Sequence, residues 1–500
     1  MPKLAPLVAE ADWKRRAVLT GDGYYALETE DTRGVPVRLF LTPTLLEEAE
    51  TTLYRQIINA TRFPGARMVA ITPDSHYGYG VPVGCVILTD RYEGAVAMGP
   101  VGFDIGCGMM SARSDVPADR ATPDRKLAFN REVMARVSMG AGGTSLRLGK
   151  VSDREFQNLV RGGAEHYVDK YGASFDRSRA ERHRIPVDDG WQIPWGGEGR
   201  PERGLEQLGS LGGGNHFIEL QRAEETKTLF VQVHTGSRSF GHGLATNYFA
   251  MARSEHPEQG DDIDLGYFTP TSRHHRAYLN AVAAGGNYAI LNRLIIFEQI
   301  AEAFRKVFRA DLELVYEISH NLVQAETHPD FGDVWVHRKG ATRAFPGGHP
   351  ALAGTIWETS GHPVLIPGSN RDYSYILRPL PGAVRSGYSV NHGASRRMSR
   401  GEAMRQLDQH KVNEQYRRDG ILVNTDGKVP LDESSACYKR AEEVVRAVVD
   451  AGLATIEHTL WPLASLKGTE EGRGAKRARR KQDRSRDKAR DSARKTKVHY

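Results

Sequence analysis

Short apolar runs that stop at glycine-rich or polar clusters alternate along the chain with a few long stretches of helical spacing. After residue 60, ARMVAIT stops at PDSHYGYG, VPVGCVIL forms a second run, and AVAMGP leads into VGFDIGCG. Further on, LFVQV stops at HTGSR, LELVYEI at SHN, PVLI at PGS and GYSV at NHGAS. Such β-favouring runs closed by turn residues predict strands. Between them, YLNAVAAGGNYAILNRLIIFEQIAEAFRKVF and KRAEEVVRAVVDAG predict long helices. Near the start, PTLLEEAETTLYRQIINA has helical spacing and an acidic first turn, which predicts a helix there. Residues 170–210 are polar with Gly and Pro and read as a surface excursion, not a domain boundary.

The positions just past the predicted strands are occupied again and again by Asp, His, Cys, Asn and Arg. Side chains at strand exits stand on a rigid frame and face a common cleft. Composition narrows the setting. With 39% apolar and 26% charged residues in 500, the chain is an ordinary globular mixture, which excludes wholesale disorder and fibrous repeats. Its three cysteines (Cys85, Cys107, Cys437) contain no CxxC pair, so a cystine framework or zinc ribbon is not expected. A reducing, cytoplasmic setting is the default. No stretch approaches the ~20 apolar residues of a membrane span, and the N-terminus lacks the apolar core of a signal peptide. The net charge of +6 is local: residues 469–500 hold 13 Lys/Arg against 5 Asp/Glu, so the rest of the chain is near −2. That basic tail cannot build a core. It reads either as an arm attracted to polyphosphates or as a solvated solubility tail.

There is no GxxxxGK[ST], GxSxG or HExxH motif, which removes standard nucleotide-loop, serine-hydrolase and zincin readings. What is present is a set of candidate metal ligands. VGFDIGCGMM offers Asp104 and Cys107 in one glycine-flanked turn, SLGGGNHFIEL offers His216, FVQVHTGSR offers His234 and YEISHN offers His320. One carboxylate, one thiolate and three imidazoles suit two adjacent divalent ions with a bridging sulfur. Cysteine argues for zinc or iron, while imidazole and carboxylate also admit manganese. A second group looks suited to phosphate: Arg238; Arg338, Lys339 and Arg343; Arg396, Arg397 and Arg400. His392 in NHGASR lies near those arginines in sequence, open to readings as nucleophile, general base or structural histidine.

These segments together resemble the RtcB family of RNA-splicing ligases. PDSHYGYGVPVG, VGFDIGCGMM, LGGGNHFIEL, VHTGSR, SHN, HRKGAT, PGS, HGASRRMSR and LKG follow in family order up to Gly468. The resemblance implies a single compact α+β unit around a deep cleft over residues 1–468, followed by the tail 469–500. It implies a GTP- and Mn2+-dependent RNA ligase that joins 2′,3′-cyclic phosphate or 3′-phosphate ends to 5′-hydroxyl ends, as in tRNA splicing and RNA repair. His392 would carry GMP. Asp104, Cys107, His216, His234 and His320 would hold two Mn2+ ions. Asn215, Glu219, Ser369, Ser374, Tyr438 and Lys467 would bind the nucleotide, and Arg238, Arg396 and Arg400 the RNA phosphates. The implied partners are RNA ends such as tRNA halves, GTP and archease. The sequence departs from the family pattern at PGSNRD, where the family usually has PGSMGT, and at HGASR, where it usually has HGAGR. Both lie near the nucleotide. They motivate a rival reading, a metal-dependent phosphoesterase on the same frame; the basic tail and the arginines motivate another, a non-catalytic RNA-end binding protein.

Overall fold

A computed structural model describes residues 7–145, 147–173, 175–179, 184–256 and 263–468. The basic tail lies outside the described residues. The predicted strands fall mainly into two large sheets. The first has seven strands in the order Ala17–Leu19, Tyr25–Leu27, Val37–Leu39, Ala66–His76, Val83–Asp90, Gly332–Lys339 and Asn321–His328. The second runs Glu313–Ser319, Gly108–Pro117, Thr228–Thr235, Phe217–Ala223, Ala454–Lys467, Ser374–Pro379 and Val364–Ile366. A small ribbon pairs Ala341–Arg343 with Ser389–Asn391. This mixture of helices and mostly antiparallel strands is the expected α+β architecture.

Both sheets are covered on both faces, which explains why the strand sequences read as continuous apolar runs. In ARMVAIT, Val69 and Ile71 pack with Trp13, Tyr54 and Ile57. Met68 and Ala70 point the other way, onto Val334, Ile366 and Val445. One face of the second sheet is buried under helices, chiefly His275–Phe308, which shares a core with Phe156, Leu244 and Val231. The middle of that helix is buried all round, with apolar side chains and a few buried polar ones such as Asn287 and Arg293.

Two expectations are corrected. The N-terminal helical stretch is two helices, Pro43–Glu48 and Leu53–Ala60, because Ala49 takes an extended conformation (ψ 137°). The segment 170–210 is more than a surface excursion. Its described part buries Val187, Trp191 and Ile193 in the largest core. Its backbone is held by side chains of the long helix: Ile185 N donates to Asn287 Oδ1 at 2.7 Å and Asp188 N to Asn280 Oδ1 at 2.8 Å. Docking by distant amides leaves no periodic trace in the segment itself.

Candidate active site

Antiparallel register brings the candidate metal ligands together. Gly108 pairs with Ser319 and with Thr235; His234 pairs with Met109 and with Phe217; Phe217 pairs with Lys467. Asp104, Cys107, His216, His234, His320 and Lys467 therefore all sit at one end of one sheet. Cys107 Sγ lies 3.6 Å from His216 Nε2 and 3.3 Å from His234 Nε2. His216 Nε2 is 3.2 Å from Asp104 Oδ2, and His234 Nε2 is 3.3 Å from His320 Nε2. Two donor triads result, Asp104–Cys107–His216 and Cys107–His234–His320, with the sulfur common to both.

The remaining atoms of these side chains are committed elsewhere, which aims the free ones inward. His216 Nδ1 faces Leu211 O at 3.0 Å and His234 Nδ1 faces Asn215 O at 3.1 Å, so Nε2 of each is the ring nitrogen turned toward the site. Asp104 Oδ1 accepts from Ser237 N at 2.9 Å. Gly212 is required where it stands: at φ +97°, an added Cβ would meet Arg238 at 2.3 Å and His216 Nδ1 at 2.6 Å. Burial pushes the Cys107 thiol well up, with the Asp104 carboxylate adding to it. Burial pushes the His234 and His320 imidazolium forms well down. Burial also acts to raise Asp104, but the His216 ring bonded to it overrides this and holds the carboxyl below its usual range. Neutral imidazoles, a carboxylate and a thiol made costly to ionise without a nearby cation fit a pair of divalent ions.

A cavity of about 440 Å³ opens on this group and holds His392 in the same wall system as Cys107, His234 and His320. The His320 and His392 ring centroids are 4.9 Å apart. His392 follows the ribbon strand Ser389–Asn391, and its Nδ1 lies 2.6 Å from Oδ2 of the fully buried Asp74. The same oxygen accepts the His392 backbone N–H at 3.1 Å. Burial acts to raise Asp74, yet the adjoining imidazole leaves its carboxyl below the usual range. A carboxylate beside Nδ1 orients the ring and leaves Nε2 as the nitrogen not paired with it.

Asn215, Glu219, Ser369, Tyr438 and Lys467 line the other part of the cavity. One buried carboxylate organises much of it. Glu433 accepts from Tyr438 Oη at 2.5 Å, Lys467 Nζ at 3.1 Å, Arg400 at 2.9 Å and Arg396 at 3.3 Å. Glu219 is pushed up to about 7 by burial. It accepts from Gln221 Nε2 at 2.7 Å.

The profile of the family described as tRNA-splicing ligase RtcB matches residues 56–468. The "tRNA-splicing ligase RtcB" of Pyrobaculum aerophilum is 35% identical over 467 residues, covering 87% of this chain and 95% of that protein. The Methanococcus maripaludis protein of the same name is 31% identical over 88% of this chain and 96% of its own. The "RNA-splicing ligase RtcB" of Mycobacterium bovis is 34% identical over 83% of this chain and 100% of its own. The chain belongs to the RtcB family.

Within this RtcB chain several expected site residues stand off the cavity wall. Arg238 donates to Ser210 Oγ at 3.2 Å and Gly140 O at 3.1 Å, beside His216 but behind the wall. Ser374 lies beneath the wall, where its Oγ accepts from Gly368 N and Gln221 Nε2. Two of the arginines read as phosphate-binding are structural. Arg338 is buried in a two-pronged pair with Glu326, at 2.6 and 2.9 Å. Arg343 is buried and lies 4.7 Å from the centroid of Phe345. Both sit inside strands, where the side chain turns into the core instead of a loop.

The RtcB departures resolve into separate roles. Arg371 pairs with Asp419, and Asp372 accepts the Ala441 N–H at the start of a helix, so both serve the scaffold. Asn370 and Ser395 line the cavity. Asn370 Oδ1 accepts from Tyr416 Oη, which itself accepts from Ser435 N. Among the described residues, Asn370 Nδ2 and Ser395 Oγ have no hydrogen-bond partner. Ser395 is held at φ +57°, a strained conformation for a residue with a Cβ.

Three residues that hold the candidate site together escaped the sequence reading. Asp74 was visible only as part of the PDSH cluster. Glu433 gave no signal. Arg293 stands inside the apolar run AILNRLIIF, and a charge there was the available clue. Its guanidinium is fully buried against Glu317 and donates to Gly106 O at 2.7 Å, Thr235 O at 3.0 Å and Ser319 Oγ at 2.7 Å. Each of those residues adjoins a candidate ligand: Cys107, His234 and His320.

Proposed function

We propose that this protein is a GTP- and Mn2+-dependent RNA ligase that joins 2′,3′-cyclic phosphate or 3′-phosphate ends to 5′-hydroxyl ends. The observation that carries the reading is the sharing of one cavity by His392 and the paired donor triads around Cys107. His392 Nε2, aimed by Asp74, attacks the α-phosphorus of GTP; an N–P bond forms and pyrophosphate leaves. An RNA 3′-phosphate oxygen then displaces the histidine, giving RNA-3′-pp-G, and a cyclic end is first opened by water. Finally the 5′-hydroxyl attacks the RNA phosphorus and GMP departs with the bonding pair. Two Mn2+ held by the two triads would neutralise phosphate oxygens in these steps. Glu219 and Lys467 suit the guanine edge, one as acceptor and one as donor. Tyr438 offers a ring, and Arg396 and Arg400 suit RNA phosphates.

The catalytic unit on this reading runs to Gly468, which directly follows Lys467 of the cavity wall, and the basic stretch 469–500 continues from there in the sequence. A basic arm there would strengthen RNA binding in a salt-sensitive way. Archease is the partner the family resemblance suggests, and the cytoplasm its setting. Among the described residues no helix is long and apolar enough to cross a membrane.

Incubation with α-labelled GTP and Mn2+, followed by a denaturing gel, tests the proposal. Wild type is expected to carry label and His392→Ala none. A wild-type protein that never labels, but hydrolyses cyclic phosphate ends without joining them, would establish the phosphoesterase reading instead.

A further inference from the structure

The turn between the strands Ala66–His76 and Val83–Asp90 presents two tyrosines to solvent, Tyr77 at 55% and Tyr79 at 70% exposure. Tyr79 also lines the cavity that holds His392. Among the described residues no aromatic ring packs on either. Exposed rings on a loose loop would mean little, but this turn is pinned at every other residue. Gln56 and Gly78 exchange two hydrogen bonds, Gln56 Nε2 to Gly78 O and Gly78 N to Gln56 Oε1 at 2.8 Å. Asn59 Nδ2 donates to Gly80 O at 2.8 Å. The buried Lys339 donates Nζ to Tyr79 O at 2.7 Å and to Val81 O at 3.3 Å. Gly78 and Gly80 are closed against backbone: an added Cβ would meet Val81 O at 2.7 Å and Asp264 O at 2.9 Å. Two buried amides and a buried ammonium thus fix a turn whose rings have no intramolecular use. A rigid aromatic at a cavity mouth is a pre-organised surface for a flat ligand.

The cavity indicates which ligand. Tyr79 stands at the exposed rim of the cavity whose wall holds His392. An RNA terminus whose phosphate or hydroxyl reaches His392 passes this ring, which places its base within reach of the ring face. We propose that Tyr79 is a stacking platform for the terminal nucleobase of the single-stranded RNA end that enters the cavity, an assignment resting on the ligase reading above. Stacking accepts any base, because every base offers a π-face, which suits joining ends of differing sequence. The phenol oxygen is not needed for it.

The test is equilibrium binding, by fluorescence anisotropy, of a 3′-phosphorylated and a 5′-hydroxyl oligoribonucleotide measured separately. The proteins compared are wild type, Tyr79→Phe, Tyr79→Leu and Tyr79→Ala. For one of the two strands, Tyr79→Ala and Tyr79→Leu are expected to weaken binding on the order of tenfold, while Tyr79→Phe binds like wild type. An abasic terminal nucleotide should cost wild type the same factor and cost Tyr79→Ala nothing more. Binding by Tyr79→Ala equal to wild type on both strands overturns the proposal. So does an alanine deficit that persists undiminished on the abasic end. GTP labelling of the wild-type protein is measured alongside. Base-dependent binding in a protein that never labels would support the platform and sink the GTP chemistry; labelling with base-independent binding would sink the platform alone.

Discussion

The two ends of the cavity are built by different means. The end proposed for the metals is made of strand termini whose positions follow from sheet register, and Arg293 ties three of them to the core from behind. The end proposed for the nucleotide is made of loops and a strand terminus gathered round one carboxylate, Glu433, with Asn370 and Ser395 contributing atoms that find no partner among the described residues. The first end is fixed by the fold before any ligand arrives. The second is held by charge pairing that an anionic ligand can contest. On this view the metal end tolerates little change, and the nucleotide end is where a family member can vary.

Replacing the hub on each side sharpens the contrast. Arg293→Met removes the guanidinium paired with the buried Glu317, and breaking such a pair costs about 3–5 kcal/mol. We expect a large fall in the thermal midpoint and loss of Mn2+ binding by calorimetry; an unchanged midpoint would break the claim that the core sets the metal end. Glu433→Gln should perturb folding less and function more selectively. Weakening its charge-assisted bonds, worth about 1.5–3 kcal/mol, should raise the KM for GTP in the labelling reaction on the order of tenfold to a hundredfold, with Mn2+ binding retained.

A pH series probes the nucleotide end more gently. The Glu219 carboxyl, pushed up to about 7 by burial, is neutral below that value and a carboxylate above it. If the carboxylate accepts from the base, GTP affinity rises as pH climbs through about 7, and Glu219→Gln flattens that rise. The smallest effect is expected at Ser395. Relief of its left-handed backbone by Ser395→Gly should stabilise the protein by about 1 kcal/mol, measured by denaturant unfolding; a loss of stability would mean that the serine side chain supports the loop.

The same contrast explains what the sequence disclosed. Strand ends are legible because apolar runs end visibly beside chemistry-bearing residues: His320 follows Glu313–Ser319 and His234 stands at the end of Thr228–Thr235, whereas Cys107 immediately precedes Gly108–Pro117. Their meeting point depends on register between strands more than one hundred residues apart, which no local pattern encodes. Arg338 and Arg343 were read as phosphate ligands because basic residues near a glycine look exposed, whereas both lie in strands buried on both faces, Arg338 paired with Glu326 and Arg343 against Phe345. Asp74 and Glu433 act through partners hundreds or tens of residues away, at His392 and Lys467, so neither carries a motif of its own. The burial of Trp191 and Ile193 followed from amide docking by the long helix, again a contact between distant segments.

The central claim is that paired cations and a nucleophilic imidazole face each other in one cavity. Crystals of the full chain grown with Mn2+ and examined by anomalous scattering at the manganese edge test it most directly. The account predicts two peaks sharing Cys107 Sγ, one reaching Asp104 and His216 and the other His234 and His320, both opening toward His392. Manganese bound elsewhere, or in a site that omits Cys107, would contradict it.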